Sequence, residues 1–314
     1  MTGIPLLGIA IPAYKREYLL GRLLDSIKTN YPIVVSDNGG HLPPSFKDRY
    51  SRVRFLAGPE VPTLENWNRA ARALETQWII MPGDDDLYYP ESFTIIEQTL
   101  LSVPTADIVF FGHHIIDEED NVKSDWIPEQ MHLKAPDGFD KVRRGTPARP
   151  PGIAFKAELF RRLGGFCEDF KITAGDNDFY QRAALVGESV FVNAVVTGYR
   201  VWTFGSTMQA IATQGWLREI DLWCGRMRKL ASEHHYRYPK SLQDAIYLDN
   251  LSAGISALKE RGGYRAAWRH FLASRYPFRS NPLSQLKLVA KLILPRRRRV
   301  SAQSAPGLRA SGRP

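Results

Sequence analysis

The chain has 314 residues, of which 44% are hydrophobic, and it can therefore bury one large core or two smaller ones. No apolar run approaches the roughly eighteen residues of a membrane span, and the first residues lack a basic region followed by an apolar one, so we expect a cytoplasmic protein. The two cysteines, Cys167 and Cys224, have neither the number nor the spacing of a disulfide framework and are expected to be small buried hydrophobes.

The first half of the chain alternates strand and helix patterns. Short apolar runs predict strands at residues 6–11, 33–35, 53–56, 78–81 and 108–111, and helical spacing predicts helices at 19–27, 63–76 and 92–101. Thr63 is expected to be the N-cap of the second of these helices. Because repeated β-α units build a mostly parallel sheet with helices on both faces, the predicted fold class is α/β.

The second half begins with a polar stretch rich in proline and glycine, residues 118–151. We expect a long excursion over the sheet edge, either a lid or acceptor-binding element or mere surface elaboration. Further helices are predicted at residues 157–163, 179–186, 216–233, 241–260, 264–273 and 283–294, and residues 300–314 are expected to be a disordered tail.

The most distinctive feature is a run of three carboxylates, Asp84, Asp85 and Asp86, directly after the apolar run 78–81. Adjacent carboxylates raise one another's pKa, so a fold tolerates a triplet mainly where it is solvated or a cation holds the charge. In open α/β sheets, ligands bind outside the carboxyl ends of the strands, where this triplet would lie. A solvated turn and a site for Mg²⁺ or Mn²⁺ both remain open.

Five motifs follow one another along the chain: Ile-Pro-Ala-Tyr-Lys-Arg at 11–16, Val-Ser-Asp-Asn at 35–38, Glu-Asn-Trp-Asn-Arg-Ala at 65–70, Gly-Asp-Asp-Asp-Leu-Tyr-Tyr-Pro at 83–90 and Gly-Asp-Asn-Asp-Phe at 175–179. Each is weak alone, but together, in this order and spacing, they resemble family 2 glycosyltransferases of the GT-A fold, over roughly residues 4 to 210. The resemblance implies inverting transfer of a sugar from a nucleotide-sugar to an acceptor hydroxyl, normally with Mg²⁺ or Mn²⁺.

The resemblance implies that residues of the first four motifs bind the nucleotide-sugar. These residues are Pro12, Ala13, Tyr14, Arg16, Asp37, Asn66, Arg69, Asp84 and Asp85. Asp37 would accept a hydrogen bond from the base or ribose, and Asn66 and Arg69, three apart on one helix face, would reach toward the diphosphate. A turn cap for Asp37 and a solvated helix start for Arg16 remain alternatives.

The metal is expected at Asp85 and Asp86. A divalent cation that bridges the phosphates would stabilise the negative charge of the leaving group. The resemblance places the family's metal-binding acid at Asp85, with Asp84 beside it. Gly83 stands where many members carry the first acid of the D-x-D pattern, so the division of labour among the three carboxylates stays open.

The fifth motif supplies the candidate general base. Inverting transfer needs one carboxylate to take the proton of the attacking hydroxyl. Asp176 matches the family's base, whereas Gly175 stands where the family has Glu. A capping role in the helix that follows is the alternative for Asp176 and the expected role of Asp178, and a helix N-terminus favours the ionised form of both carboxyls.

Two other groups are candidate ligands for the metal or the phosphates. Residues 199–202 resemble the family's Tyr-Arg-x-His segment, but Trp202 replaces the His, so metal coordination from this segment is doubtful. Arg200 is either a phosphate contact or part of a structural ion pair. His113 and His114 are neighbours on a predicted strand, so their side chains point to opposite faces and are expected to be structural.

The C-terminal end is basic and amphipathic. The net charge of +9 is uneven because four arginines, 296–299, follow the predicted helix 283–294, which itself carries Lys287 and Lys291. Residues 283–299 could lie in an anionic membrane interface on the cytoplasmic face of the inner membrane, or the helix could pack on the catalytic domain. Nucleic-acid binding is not expected, because no recognition motif accompanies the arginines.

These patterns predict three parts: a GT-A domain at 1–210, with nucleotide-sugar binding at about 1–112 and the acceptor side at about 113–210, a helical region at 211–299, and the tail. The expected activity uses a UDP-, dTDP- or GDP-sugar and a saccharide or lipid-linked saccharide acceptor, in cell-surface polysaccharide synthesis. One alternative, a sugar-phosphate nucleotidyltransferase, would predict a Gly-rich, Lys-containing loop that residues 11–14 lack. The other is a non-catalytic nucleotide-sugar binding protein.

Overall fold

The computed structural model describes residues 3–202, 210–261, 263–274 and 282–293. The strands are β1 Leu7–Ala13, β2 Ile33–Asn38, β3 Arg54–Gly58, β4 Trp78–Ile80, β5 Leu87–Tyr88, β6 Ile108–Ile116, β7 Val122–Trp126, β8 Met131–Leu133, β9 Ile153–Lys156 and β10 Ser189–Arg200. The helices are α1 Glu17–Ser26, α2 Pro44–Arg49, α3 Thr63–Arg72, α4 Ser92–Ser102, α5 Asp137–Val142, α6 Ala157–Arg162, α7 Gly175–Val186, α8 Gln214–Glu233, α9 Lys240–Glu260, α10 Tyr264–Leu272 and α11 Pro282–Ile293.

A ten-stranded sheet organises the molecule, in the order β3-β2-β1-β4-β9-β6-β10-β5, with β7 on β6 and β8 on β10. The neighbours β3, β2, β1 and β4 are parallel. Because β9 is antiparallel to both β4 and β6, strand β6 and its parallel neighbour β10 run in the same direction as β4. The predicted α/β class, with a mostly parallel sheet flanked by helices, is confirmed.

Apolar cores lie on both faces of the sheet. All seven residues of β1 are buried, and alternate residues enter different cores. Leu7, Ile9 and Ile11 pack with α1, α2 and α4, whereas Ala10 lies in the core formed with α3, α6 and α7. This two-sided burial explains why the central strands are continuous apolar runs instead of alternating patterns.

The C-terminal helices extend the second core. Residues of α8 and α9 belong to the same buried cluster as those of α7, and α11 adds Leu288 and Leu292 to it. None of the described helices is long and apolar enough to span a membrane. Leu294, the arginines at 296–299 and the predicted tail lie outside the described residues.

Four sequence expectations are corrected. Residues 118–151 contain β7, β8 and α5, and both strands join the sheet; β7 was missed because its side chains are mostly exposed. The helix α3 begins at Thr63 itself, and the extended Pro62 is its N-cap, so Thr63 does not cap it. The helix α7 begins at Gly175, which places both motif aspartates inside its first turn. Cys224 is buried as expected, but Cys167 is only half-buried.

Candidate active site

Several segments that carry the motifs meet at one edge of the sheet. The strands β1, β2 and β4 are parallel neighbours, so their carboxyl ends lie together. The antiparallel β9 begins at this edge, where Ala154 pairs with Ile80. The first turn after β1, the carboxylate triplet after β4 and the connection before β9 are therefore close in space, although far apart in sequence.

The triplet is bonded to the first turn. Asp84 Oδ2 accepts a hydrogen bond from the Tyr14 backbone N–H at 2.8 Å, and Asp84 Oδ1 accepts one from Arg16 Nη1 at 3.3 Å. The same Arg16 nitrogen also forms an ion pair with Asp85 Oδ2. The structure thus places Arg16, which stands directly before α1 with a side chain that is 44% exposed, between two carboxylates.

Trp202 also contacts the triplet. Its indole N–H donates a hydrogen bond to Asp85 Oδ2 at 2.6 Å, and the Arg16 guanidinium lies 5.6 Å from the centre of its ring. Trp202 therefore orients a carboxylate. From the sequence, metal coordination by this segment was doubtful, and no pattern revealed this contact across 117 residues.

Asp86 closes the turn of the triplet. It is 2% exposed, and its two oxygens accept hydrogen bonds from the Gly83 N–H at 2.7 Å and the Arg200 N–H at 3.1 Å. Burial raises the pKa of Asp86 well above its usual value, and the charge of Asp85 adds to this effect. The Asp86 carboxyl is thus buried and hydrogen-bonded to the protein backbone.

Arg200 forms its hydrogen bonds and its ion pair with groups of the protein itself. Its Nε donates to the backbone oxygen of Asp85 at 2.8 Å, Nη1 donates to the carbonyl of Glu118 at 3.1 Å, and the guanidinium pairs with Asp120. Of the two interpretations left open by the sequence, the structure shows the ion pair.

Asp84, the first residue of the triplet, is 6% exposed. Burial raises its pKa to about 6, although the Tyr14 N–H and the Arg16 charge oppose the shift. Holding this carboxylate ionised at neutral pH therefore costs folding free energy. Such a cost is typical of functional sites, where a bound cation can offset it.

The oxygens of the triplet fit a hard divalent cation unequally. Carboxylate oxygens suit Mg²⁺ or Mn²⁺, but both oxygens of Asp86 already accept backbone hydrogen bonds. The bonds to Asp85 all go to Oδ2, and Asp84 Oδ1 has only the long contact to Arg16. Asp84 and Asp85 therefore fit a cation better than the predicted pair of Asp85 and Asp86. Among the described residues, no group of three or more His, Cys, Asp or Glu side chains is arranged to hold a metal.

The end of β2 forms a second part of the site. Pro12 and Ala13 of β1 are paired in register with Ser36 and Asp37 of β2, and all four are buried. The Asp37 carboxylate accepts hydrogen bonds from the backbone of residues 41 and 42 and lies 3.2 Å from Lys47 Nζ. Asp37 thus caps the turn after β2, as the alternative interpretation stated.

Asn66 and Arg69 of α3 form hydrogen bonds with β2 and not with the triplet. Asn66 Oδ1 accepts hydrogen bonds from Ser36 Oγ at 2.7 Å and from Arg69 Nη2 at 2.8 Å. Arg69 Nε donates to Ser36 Oγ at 2.7 Å, and Nη1 donates to the carbonyl of Pro59 at 3.3 Å. These hydrogen bonds join Asn66 and Arg69 to Ser36, and none of them goes to Asp84, Asp85 or Asp86.

An exposed rim borders this second part. Tyr14 is 41% exposed; its hydroxyl donates to Glu60 at 2.8 Å, and its ring meets the His41 ring at 5.7 Å, edge to face. An exposed aromatic ring beside a carboxylate can stack on a planar base. Neither His41 nor Glu60 belongs to a sequence motif, so no pattern predicted this rim.

Asp176 lies half-buried in the first turn of α7. Its Oδ1 accepts a hydrogen bond from the Asn177 N–H at 2.7 Å, and Asn177 Oδ1 accepts one from the Thr146 N–H at 2.6 Å. These bonds fix the start of α7 to the connection between α5 and β9. Asp176 forms no ion pair within the described residues.

The charges of Asp176 and of the triplet affect the same tyrosine, Tyr199. Burial raises the pKa of Tyr199 to about 12, and the negative charges of Asp86, Asp176 and Asp85 contribute to the rise.

Asp178 has a structural role. Its buried carboxylate binds Arg182 Nε at 2.8 Å and Arg226 Nε at 3.0 Å, so it joins α7 to α8. The helix has no side-chain cap at its N-terminus, and the expected capping role of Asp178 is wrong.

The two departures from the family's motifs have different surroundings. A Cβ atom at Gly175 would lie 2.1 Å from Leu64 Cδ1, so the acid that the family carries there has no room unless Leu64 moves. A Cβ atom at Gly83 would lie 3.1 Å from Asp85 Oδ1, and an acid at that position would add a fourth carboxylate to the triplet.

Comparison with known proteins defines the fold. No protein-family model and no curated protein sequence matches the chain. Among solved structures, S. aureus TarS 1-349 in complex with UDP-GlcNAc is 14% identical, over 91% of this chain and 88% of that one, with a TM-score of 0.58. S. aureus TarS 1-349 itself is 12% identical over 91% and 80%, with a TM-score of 0.56.

A mannosyltransferase, PcManGT from Pyrobaculum calidifontis in complex with GDP-Man and Mn²⁺, is 15% identical over 93% and 86%, with a TM-score of 0.45. The architecture is similar to that of GT-A glycosyltransferases, as predicted. At these identities the likeness to TarS establishes the fold, and the activity is a separate question.

Proposed function

We propose that the chain is an inverting glycosyltransferase that moves a sugar from a nucleotide-diphosphate sugar to the hydroxyl of a saccharide or lipid-linked saccharide. The observation that carries this proposal is the junction of Asp84 and Asp85 with Arg16 and Trp202 at the carboxyl edge of the sheet. In open α/β sheets that edge is where ligands bind. The fold is shared with TarS, which was crystallised with UDP-GlcNAc.

In this proposal the nucleotide lies along the ends of β1 and β2. Tyr14 would stack on the base, and Asp37, held in place by the turn that it caps, would meet the base or ribose. Asn66 and Arg69 would position Asp37 through Ser36. The diphosphate would then lie beside Arg16, which gives an anion a cationic partner at the start of α1.

The proposed cofactor is Mg²⁺ or Mn²⁺, held by Asp84 and Asp85, with Asp86 fixing the turn. Such an ion supplies Lewis acidity that stabilises the charge of the leaving diphosphate. Arg16 contacts both of these carboxylates, so it would have to turn toward the phosphates when the ion binds. Trp202 keeps Asp85 oriented throughout.

Asp176 is the proposed general base, which takes the proton of the acceptor hydroxyl as the new glycosidic bond forms on the face opposite the leaving group. Its half-buried carboxylate lies in the first turn of a twelve-residue helix. The acceptor would enter from the side formed by α5, α7 and β6.

The experiment that tests the function is a transfer and hydrolysis assay across UDP-, dTDP- and GDP-sugars. We expect turnover with at least one donor and an inverted anomeric configuration in the product. Asp176→Asn should lose about a hundred- to ten-thousand-fold in turnover with donor affinity unchanged. Asp25→Asn, an exposed carboxylate on α1, is the matched control and should behave as wild type.

Two results would reject the proposal. A sugar 1-phosphate and a nucleoside triphosphate converted to a nucleotide-sugar would identify a nucleotidyltransferase. Tight donor binding with no transfer to any acceptor, and no loss in Asp176→Asn, would identify a binding protein.

We also propose that α10 and α11 contact an anionic membrane surface. α11 buries Leu288 and Leu292 but exposes Leu283, Leu286 and Ile293. On α10 a stripe spaced by four residues, Tyr264, Trp268 and Leu272, is exposed as well. Arg265, Arg269 and Lys287 are exposed nearby, and four arginines follow in the sequence. Apolar and cationic side chains together favour an anionic lipid interface over a neutral one.

Vesicle co-sedimentation tests this contact. The double variant Leu283→Glu with Leu286→Glu should release the protein from anionic vesicles, and neutral vesicles should bind neither form. Leu101→Glu, an equally exposed leucine on α4, is the control. Equal sedimentation of the double variant and wild type would show that the exposed face of α11 has no membrane role.

A further inference from the structure

Arg149 stands out because it has no counter-ion among the residues that the structure describes. It lies in the connection between α5 and β9, immediately before Pro150–Gly152, at the edge of the sheet where the triplet lies. The side chain is half-buried, and its Nε is buried without a hydrogen-bond partner. Within the described residues its guanidinium makes no ion pair, and it lies 5.4 Å from the centre of the Tyr199 ring.

Polar atoms on the neighbouring segments also lack partners. The described part of the chain contains ten buried side-chain nitrogen or oxygen atoms without a hydrogen bond, and half of them belong to β6, to this connection and to α7: those of His113, Thr146, Arg149, Tyr180 and Gln181. A buried polar group without a partner commonly costs about 1–3 kcal/mol, so these atoms call for an explanation. A polar ligand that binds beside these segments would provide one.

The backbone places this arginine on a segment that is joined to the candidate base. Arg149 follows Thr146, whose N–H is bonded to Asn177, and the Asn177 N–H is bonded to Asp176. Burial lowers the pKa of His113 to about 4, and the charge of Arg149 contributes, so His113 is neutral and adds no competing charge. Arg16 already pairs with Asp84 and Asp85. Arg149 is therefore a second cation, on the segment anchored to the start of α7.

We infer that Arg149 binds an oxyanion of the substrate, a phosphate or a carboxylate, on the acceptor side of the cleft. The inference rests on the proposed function, because it gives the acceptor an anionic group that presents its hydroxyl to Asp176. A guanidinium suits both anions, since its fork of N–H donors matches two oxygens at once. The connection that carries Arg149 is anchored at both ends, by the Thr146–Asn177 bond and by the Tyr88 hydroxyl on the Pro151 carbonyl at 3.0 Å.

The test measures thermal unfolding of the full chain with increasing inorganic phosphate at constant ionic strength. Arg149→Met keeps the apolar stem on Tyr199 but removes the charge. Without phosphate this variant should melt about 2–4 °C above wild type, because an unpaired half-buried cation is gone. Phosphate should raise the melting temperature of wild type and not that of the variant. Arg149→Lys, which keeps the charge, should retain part of the response.

Arg144→Met is the matched control, because Arg144 lies on the same connection but is exposed and paired with Asp249. It should respond to phosphate as wild type does. The inference is overturned if Arg149→Met responds to phosphate as strongly as wild type, or if it melts below wild type without phosphate, since a structural arginine would do the latter.

A second arm identifies the source of the anion. With nucleoside diphosphate and Mn²⁺ saturating, the phosphate response should persist if Arg149 serves the acceptor, and disappear if the donor's diphosphate occupies it. The phosphate arm needs no transfer reaction. Absence of nucleoside diphosphate binding would therefore reject the proposed function without obscuring the role of Arg149.

Discussion

Replacing Asp84 by asparagine should stabilise the metal-free protein at neutral pH. Burial raises the pKa of this carboxyl from 3.8 to about 6. Because the folded-state pKa lies above that of the unfolded chain, stability falls as the pH rises through this interval and stays low above it. Two pKa units correspond to on the order of 3 kcal/mol. Asparagine can still accept the Tyr14 N–H and carries no charge, so Asp84→Asn should recover much of that free energy.

The assay is urea unfolding in the presence of a chelator, at about pH 4 and about pH 8. The variant and wild type should be similar at the lower pH, where Asp84 is largely protonated, and should differ by about 3 kcal/mol at the higher one. Mn²⁺ should stabilise wild type and not the variant. A variant that is less stable at both pH values, with an equal response to Mn²⁺, would refute the view that Asp84 is kept for binding at a cost in stability.

Asp178→Asn provides the contrast, because it removes a buried carboxylate that forms ion pairs with two arginines. It leaves Arg182 and Arg226 without their shared partner, as the distances of 2.8 and 3.0 Å imply. Breaking a buried pair in this way commonly costs about 3–5 kcal/mol. The two substitutions should therefore change stability in opposite directions.

Trp202→Phe should keep the ring beside Arg16 but lose the N–H bond to Asp85, which should weaken Mn²⁺-dependent nucleotide binding about 10-fold in calorimetry. An unchanged affinity would remove Trp202 from the site. Gly175→Ala should destabilise the protein by about 1–3 kcal/mol in urea unfolding, because its Cβ meets Leu64. In the double variant, Leu64→Ala should remove most of the destabilisation that Gly175→Ala causes. If the two changes in unfolding free energy are strictly additive, the two residues are not in contact.

The central strands and the triplet were predictable because their signals are local. A continuous apolar run such as 78–81 indicates a strand buried on both faces, and parallel strands end at one edge. The exposed β7 escaped prediction, since a strand of polar residues at a sheet edge gives no apolar pattern.

The contacts that complete the candidate site were not predictable in the same way. Arg16 meets Asp85 across 69 residues and Trp202 meets it across 117, and no local pattern encodes such pairs. Arg149 lies in a Pro-rich connection that has no motif of its own. Its lack of a counter-ion is a property of its surroundings and becomes visible only when the chain is folded.

The central claim is that a nucleoside diphosphate and a divalent cation bind together at Asp84 and Asp85. Its most direct test is calorimetry of UDP, GDP and dTDP with and without Mn²⁺, on wild type, Asp85→Asn and the control Asp25→Asn. We expect one nucleotide to bind wild type and the control in a Mn²⁺-dependent manner, and Asp85→Asn to lose that dependence. Equal Mn²⁺-dependent affinity in Asp85→Asn, or no binding of any nucleotide to wild type, would contradict the claim.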